Sequence, residues 1–277
     1  LGDVYKRQEW GENIDPARVW QEYPRPDMVR PDWECLNGLW EYAVKPVGEG
    51  KPATFEGEIL VPFCVESALS GVGRSVGDRN YLWYRRSFDI PSGWKGKNIM
   101  LNFGAVDWKC DVWVNGINVG GHTGGYTPFS LDITDATRLR GNELLVRVYD
   151  PTDKGSQPRG KQVSNPGSIW YTPVTGIWQT VWLEPVAPVH ISSLRITPDV
   201  DNRRLIVRAD ASGNTDGTTT TVDVYDKGRK VASAKSTCTG WPIEVDMPAD
   251  MKLWSTTDPH LYDLSLIHIS EPTRRVV

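Results

Sequence analysis

Between Asp150 and Gly176 lies a segment, DPTDKGSQPRGKQVSNPGSIWYTPVTG, that carries Arg159, Lys161 and Gln162 and then Trp170 and Tyr171. Hydrogen-bonding tips beside aromatic faces are what a sugar site uses, because pyranose rings present hydroxyls at their edge and C–H groups on their faces. The segment has no strand pattern, and loops longer than about 12–15 residues in compact domains are often functional. These five residues are therefore the substrate-proximal candidates. His122 offers general-base or metal chemistry in principle. Gly120, Gly121, Gly124 and Gly125 surround it and no second His or acid stands at a useful spacing, so it reads as a turn histidine bonded to backbone or solvent. Cys35, Cys64, Cys110 and Cys238 show no C-x-x-C spacing and read as small buried thiols in strands. No metal site and no cofactor is expected from this pattern.

The elements that must position these residues are strands. Thirteen Trp, 26 Gly and 20 Pro in 277 residues describe short strands joined by punctuated turns, since Gly and Pro break helices while aromatics suit pleated surfaces. No stretch keeps a 3.6-residue apolar period over three turns. Strand-like runs recur instead at 38–44, 58–61, 82–90, 98–103, 109–114, 143–149 and 179–184, at the spacing of a β-sandwich. The sharpest local signal is Asn115-Gly116 between alternating apolar residues, which predicts a type I′ hairpin. A domain boundary is expected near Pro185–Pro188. After it come shorter runs at 191–197, 205–209, 219–225 and 230–236, with a hairpin turn at Asp226-Lys227-Gly228. The fold class is therefore all-β, a jelly-roll sandwich over 9–187 followed by an immunoglobulin-like sandwich over 188–263. At roughly 75 residues the second is shorter than the ~100 such domains usually need, so its last strands are expected to be missing.

Net charge −4 and a pI of about 5.7 point away from nucleic acid, whose binders usually carry a basic stripe. No run approaches the roughly 18 apolar residues of a membrane-spanning helix. The two ends are a separate matter. Residues Leu1–Gln8 and Leu264–Glu271 can be encoded by one DNA element read on opposite strands, without a mismatch over the eight codons. Residues 1–8 and 264–277 are accordingly read as adapter-derived scars flanking a truncated native sequence, and 1–8 and 265–277 are expected to add little to any core.

Arg30-Pro31-Asp32-Trp33-Glu34 with Leu36-Asn37-Gly38-Leu39-Trp40 resembles the opening strand of the sugar-binding domain of glycoside hydrolase family 2, the β-galactosidase/β-glucuronidase type. The segments ILVPFCVESALSG (59–71), WYRRSFDIP (83–91), LNFGAVDWKCDVWVN (101–115), HTGGYTPFSLDIT (122–134) and GIWQTVWLEPV (176–186) follow in the family's order. LWSTTDPHL (253–261) resembles the late signature of its immunoglobulin-like domain. Each motif is weak alone; together and in order they cover nearly the whole interior.

The resemblance implies a retaining glycosidase, in which one Glu protonates the glycosidic oxygen while a second attacks the anomeric carbon. Both would sit on a (β/α)8 barrel that packs on these domains and for which 1–263 have no room. This chain alone is then a non-catalytic fragment whose partner is carbohydrate, a terminal β-galactoside first and a β-glucuronide second. The resemblance places the 150–176 segment over the barrel mouth, where it either completes the terminal-sugar subsite or packs on the barrel. The bacterial β-galactosidase pattern has an Asp just before the loop Trp, whereas Ser168-Ile169 precede Trp170 here. Glu66 has no marked carboxylate partner and reads as a loop or cap residue that takes backbone N–H groups or pairs with an Arg. Arg85 and Arg86 alternate on a strand, and an ion pair is expected for the buried one. The competing readings are a stand-alone lectin-like sandwich and a structural adhesin; the latter lacks repeats.

Overall fold

The computed structural model describes residues 9–215, 218–237, 240–268 and the backbone of 271–276. Cys238 and residues 1–8 lie outside the described residues. The chain divides into two compact units, Leu1–Pro24 with Trp33–Pro185, and Arg25–Asp32 with Val186–Val277.

The first unit is a two-layer β-sandwich. Its six-stranded sheet runs Gly57–Val61, Gly38–Pro46, Asn80–Phe88, Asn142–Tyr149, Lys109–Val114, Ile117–Thr123. The facing sheet runs Phe129–Asp132, Asn98–Phe103, Val181–Val186, Glu34–Cys35. Alternation sends Trp40, Tyr84, Leu82, Val112, Leu144, Val146 and Val148 inward against Leu101, Phe103 and Leu183, all buried. The outer face of the six-stranded sheet carries a second apolar layer of Ala43, Trp83 and Leu145, with Phe55, Tyr81 and Trp113 packed on it. Trp83 and Trp113 stack at 5.7 Å, and the Arg147 guanidinium lies 4.5 Å from the Tyr81 ring centroid. The central strands are thus buried on both faces, which is why their apolar runs are nearly continuous. The Asn115-Gly116 hairpin forms as expected, with φ of +51° and +81°.

The expected ion pair falls on the other arginine. Arg85 is the more exposed of the two and forms a bidentate pair with Glu41 at 2.6 and 2.7 Å on the outer face. Arg86 is half-buried and donates to the Leu39 carbonyl, which lies within reach of its strand position. His122 is likewise a strand residue, in Ile117–Thr123, with Nε2 2.9 Å from the Thr127 hydroxyl and its ring stacked on Phe129. Cys110 is buried, whereas Cys35 and Cys64 are half-buried; all three are free thiols.

The second unit pairs a three-stranded sheet, His190–Asp199, Arg204–Ser212, Pro242–Asp246, with a five-stranded one. The latter runs Met28–Val29, Glu271–Val276, Asp263–His268, Thr220–Asp226, Arg229–Ser236. Lys227 and Gly228 take the positive φ angles of the expected turn. The expectation that 265–277 stand outside the core is not met at Leu266, and the side chains of 268–277 lie outside the described residues. In Asp263–His268, Leu264 and Leu266 are fully buried with Leu205, Val207, Val222, Val224, Ile243 and Val245. Leu264-Ser265-Leu266 has the period of a half-buried strand, so it fills the place where a missing strand was expected, whatever its coding origin.

Candidate functional site

The 150–176 segment is tied at its neck. Asp150 ends strand Asn142–Tyr149, and its carboxylate accepts from the Thr152 amide at 2.8 Å and from the Thr175 hydroxyl at 2.8 Å. Residues 150 and 175 are thereby held side by side, and a loop closed in this way is ordered by its own ends. Thr152 sits at φ +53°, and its carbonyl accepts from Gln157 Nε2 at 2.7 Å. Asp153 crosses the segment to take the Ser164 amide at 3.1 Å and the Ser164 hydroxyl. Farther out, Gln162 and Tyr171 form a parallel bridge, with Tyr171 N–H donating to Lys161 and Val163 N–H donating to Tyr171.

The five sequence-predicted residues divide on this frame. Lys161, Trp170 and Tyr171 come together at the outer end; the Lys161 ammonium lies 5.9 Å from the Tyr171 ring centroid, and Trp170 and Tyr171 are 43% and 65% exposed. Arg159 is half-buried, with its Nε lacking a hydrogen-bond partner. Gln162 turns inward. Its Nε2 donates to Asp107 Oδ2 and to the Tyr126 hydroxyl, both at 3.1 Å, and its Oε1 accepts the Val174 amide at 2.6 Å. It serves the loop's position and does not present a tip to solvent.

Sequence reading missed Asp107, Asp150 and Tyr126. Asp107 sits in strand Val106–Asp107, 3% exposed, and Gly125 lies so close that a Cβ there would stand 2.3 Å from Oδ1. The signal for it was a lone acid in the apolar run FGAVDW. Tyr126, half exposed, packs edge-on to Trp178, whose indole N–H donates to the Gly125 carbonyl at 2.7 Å. Glu66 accepts the Thr175 amide through Oε2 at 2.9 Å, the loop role expected of it, while its buried Oε1 has no hydrogen-bond partner. Burial pushes the Glu66 carboxyl up to about 7; bonds from Thr175 pull it back and the Asp150 charge adds to the rise. Burial pushes Asp107 up to about 7 as well, against its bond from Gln162 and with the help of Asp150. Asp150 is raised by its own burial, opposed by its bonds from Thr152 and Thr175. Among the described residues no three His, Cys, Asp or Glu side chains gather as a metal site.

A retaining glycosidase needs two carboxylates about 5–5.5 Å apart that face one sugar. Glu66 and Asp150 are joined through Thr175, but Asp150 is buried, Glu66 half-buried, and each accepts from Thr175 instead of facing a shared open space. What the outer end can do is bind: two exposed rings and an ammonium on a neck already ordered.

Comparison with known proteins matches both units. The model described as glycosyl hydrolase 2 galactose-binding domain-like matches residues 66–175, and that described as glycosyl hydrolases family 2 matches 189–271. A β-glucuronidase of Paenibacillus borealis is 24% identical over 87% of this chain and 43% of its own length. A β-galactosidase of Thermoanaerobacter pseudethanolicus is 34% identical over 42% of this chain and 15% of its own. The apo structure of the Ruminococcus gnavus β-glucuronidase superposes with a TM-score of 0.70 at 19% identity, over 92% of this chain and 46% of that one. The chain thus spans less than half the length of these relatives. It belongs to glycosyl hydrolase family 2, of which it carries the galactose-binding-like domain and the immunoglobulin-like domain that follows.

Proposed function

We propose that this chain is the non-catalytic front portion of a retaining glycosidase that removes terminal β-linked sugars, and that Lys161, Trp170 and Tyr171 stand beside the terminal sugar. The observation that carries the reading is the 150–176 segment itself, bonded at its neck and exposed at its aromatic end. A loop ordered beforehand costs less to immobilise on binding, at roughly 0.5–1.5 kcal/mol saved per side chain. Arg159 lies on the same segment and reaches the sugar if its half-buried side chain swings outward. The acid and nucleophile belong, on this reading, to a barrel beyond this chain.

Two sugars fit. β-Galactosides follow from the order of the motifs, while the Lys161 ammonium beside the Tyr171 ring favours a sugar that bears a carboxylate, a β-glucuronide. The test is to express the uninterrupted reading frame beside this chain and assay both with chromogenic β-galactoside and β-glucuronide. The longer protein should turn over one of the two, and this chain neither, above a mock-purified control. Turnover by this chain would refute the non-catalytic assignment. A longer protein inert toward both, with micromolar sugar binding by this chain, would favour a stand-alone lectin instead.

A further inference from the structure

Three carboxyl groups lie beneath the 150–176 segment, and among the described residues no Lys or Arg is one of the groups that act on them. Glu66 comes from the turn after strand Gly57–Val61, Asp107 from strand Val106–Asp107, and Asp150 from the end of strand Asn142–Tyr149. Each holds the segment by a different group: Glu66 by the Thr175 amide, Asp107 by the Gln162 side chain, Asp150 by the Thr152 amide and the Thr175 hydroxyl. The charge of Asp150 acts on both other carboxyls. The remaining titratable groups facing them are the Cys64 thiol and the buried Tyr84 hydroxyl beside Glu66, and the Tyr126 hydroxyl that shares Gln162 with Asp107. On the segment, Lys154 pairs with Asp153 at 3.8 Å, and Lys161 faces Tyr171.

We propose that Glu66 and Asp107 form a proton-dependent anchor, which docks the 150–176 segment while both carboxyls are protonated and loosens it once they ionise. Asp150 is the member best equipped to keep its charge, because the Thr152 amide and the Thr175 hydroxyl both donate to it. Glu66 is poorly equipped, since its Oε1 is buried with no partner; an unpaired charge there costs far more than the unpaired oxygen of a neutral acid. Asp107 takes its donor from an amide side chain and stands against Gly125, with no room for a further donor on that side.

The sign follows from linkage. Burial beneath the docked segment raises both carboxyls to about 7, and exposure to water would return them toward the ordinary carboxylate range, so the docked state binds more protons. Docking is fully favoured below the ordinary carboxylate range of about 4 and is lost as pH rises through about 7. This is the reverse of a salt-bridged carboxylate. The consequence for sugar, weaker binding at alkaline pH, rests on the proposed function; the anchor itself does not.

The test is amide hydrogen exchange across 152–175 in this chain between pH 5.5 and 8.5, corrected for the intrinsic base-catalysed rate. Protection should fall by about tenfold or more through pH 7, since each unit of displacement is a factor of ten. Amides of Asn80–Phe88 and Asn142–Tyr149 should not change. In the Glu66→Gln, Asp107→Asn double variant, which keeps neutral groups of the same shape, protection should stay flat to pH 8.5. A flat profile in the unmodified chain, or the same fall in the variant, would overturn the anchor. Should the variant not fold, the carboxyl carbon resonances of Glu66 and Asp107 in the unmodified chain decide it. Midpoints that coincide with the loss of protection support the anchor, and midpoints near 4 refute it. A pH-dependent segment in a longer protein that cleaves no β-glycoside would fault the functional reading and leave the anchor standing.

Discussion

Deleting residues 265–277 should unfold the second unit and leave the first intact. Strand Asp263–His268 lies inside its sheet, paired with Thr220–Asp226 on one side and Glu271–Val276 on the other. Leu266 is fully buried, and a buried Leu→Ala change alone costs about 2–5 kcal/mol. The deletion also strips Val222 and Val224 of cover, in a unit whose whole stability falls within roughly 5–15 kcal/mol. Calorimetry should show one of the two thermal transitions abolished, with the jelly-roll transition in place. Leu266→Ala should lower the same transition by about 10 °C or more, at roughly 4–8 °C per kcal/mol for a domain of this size. Unchanged melting after deletion would mean that the terminal strand does not pack and that its alternation is incidental.

The second large effect is expected at Gly176, where the long segment re-enters the sandwich. Its φ is +95°, and a Cβ there would stand 2.0 Å from the Tyr84 hydroxyl oxygen. Tyr84 is fully buried and accepts the Ile177 amide at 3.2 Å, so it has nowhere to retreat. Gly176→Ala therefore combines backbone strain of about 1–3 kcal/mol with overpacking of a similar size. The first unit should lose roughly 2–6 kcal/mol in urea unfolding. Adding Tyr84→Phe removes the oxygen that clashes, so the double variant should be more stable than the sum of the two single changes predicts. Strict additivity would show that the close approach is relieved elsewhere.

Strands were legible because apolar alternation is a local property. The hairpins at Asn115-Gly116 and Lys227-Gly228 were legible because positive φ selects residue types. Long-range choices were not. Nothing in Arg25–Asp32 marks it as part of the second unit, since that follows from the pairing of Met28–Val29 with a strand some 245 residues later in the chain. In the 150–176 segment the residue types single out candidates, yet without a period no rule says which side chain turns in. Gln162 had the composition of a ligand contact and proved to be the inward peg. Asp107 was hidden for the opposite reason, an acid inside an apolar run whose partner is 55 residues away. The Arg85 and Arg86 pair shows the same limit: alternation assigns opposite faces, but here the outer face of the sheet carries the carboxylate.

The most direct test of the central claim is the kcat/KM of the longer protein after Trp170→Ala. The side chain is exposed and outside both cores, so folding and melting should be unchanged. If the 150–176 segment stands at the terminal sugar, loss of the indole face should cut kcat/KM for the cleaved β-glycoside by about 10–100-fold, the equivalent of roughly 1.4–2.8 kcal/mol of lost binding. A value within twofold of the unmodified protein, at equal stability, would contradict the placement and leave the segment a packing element.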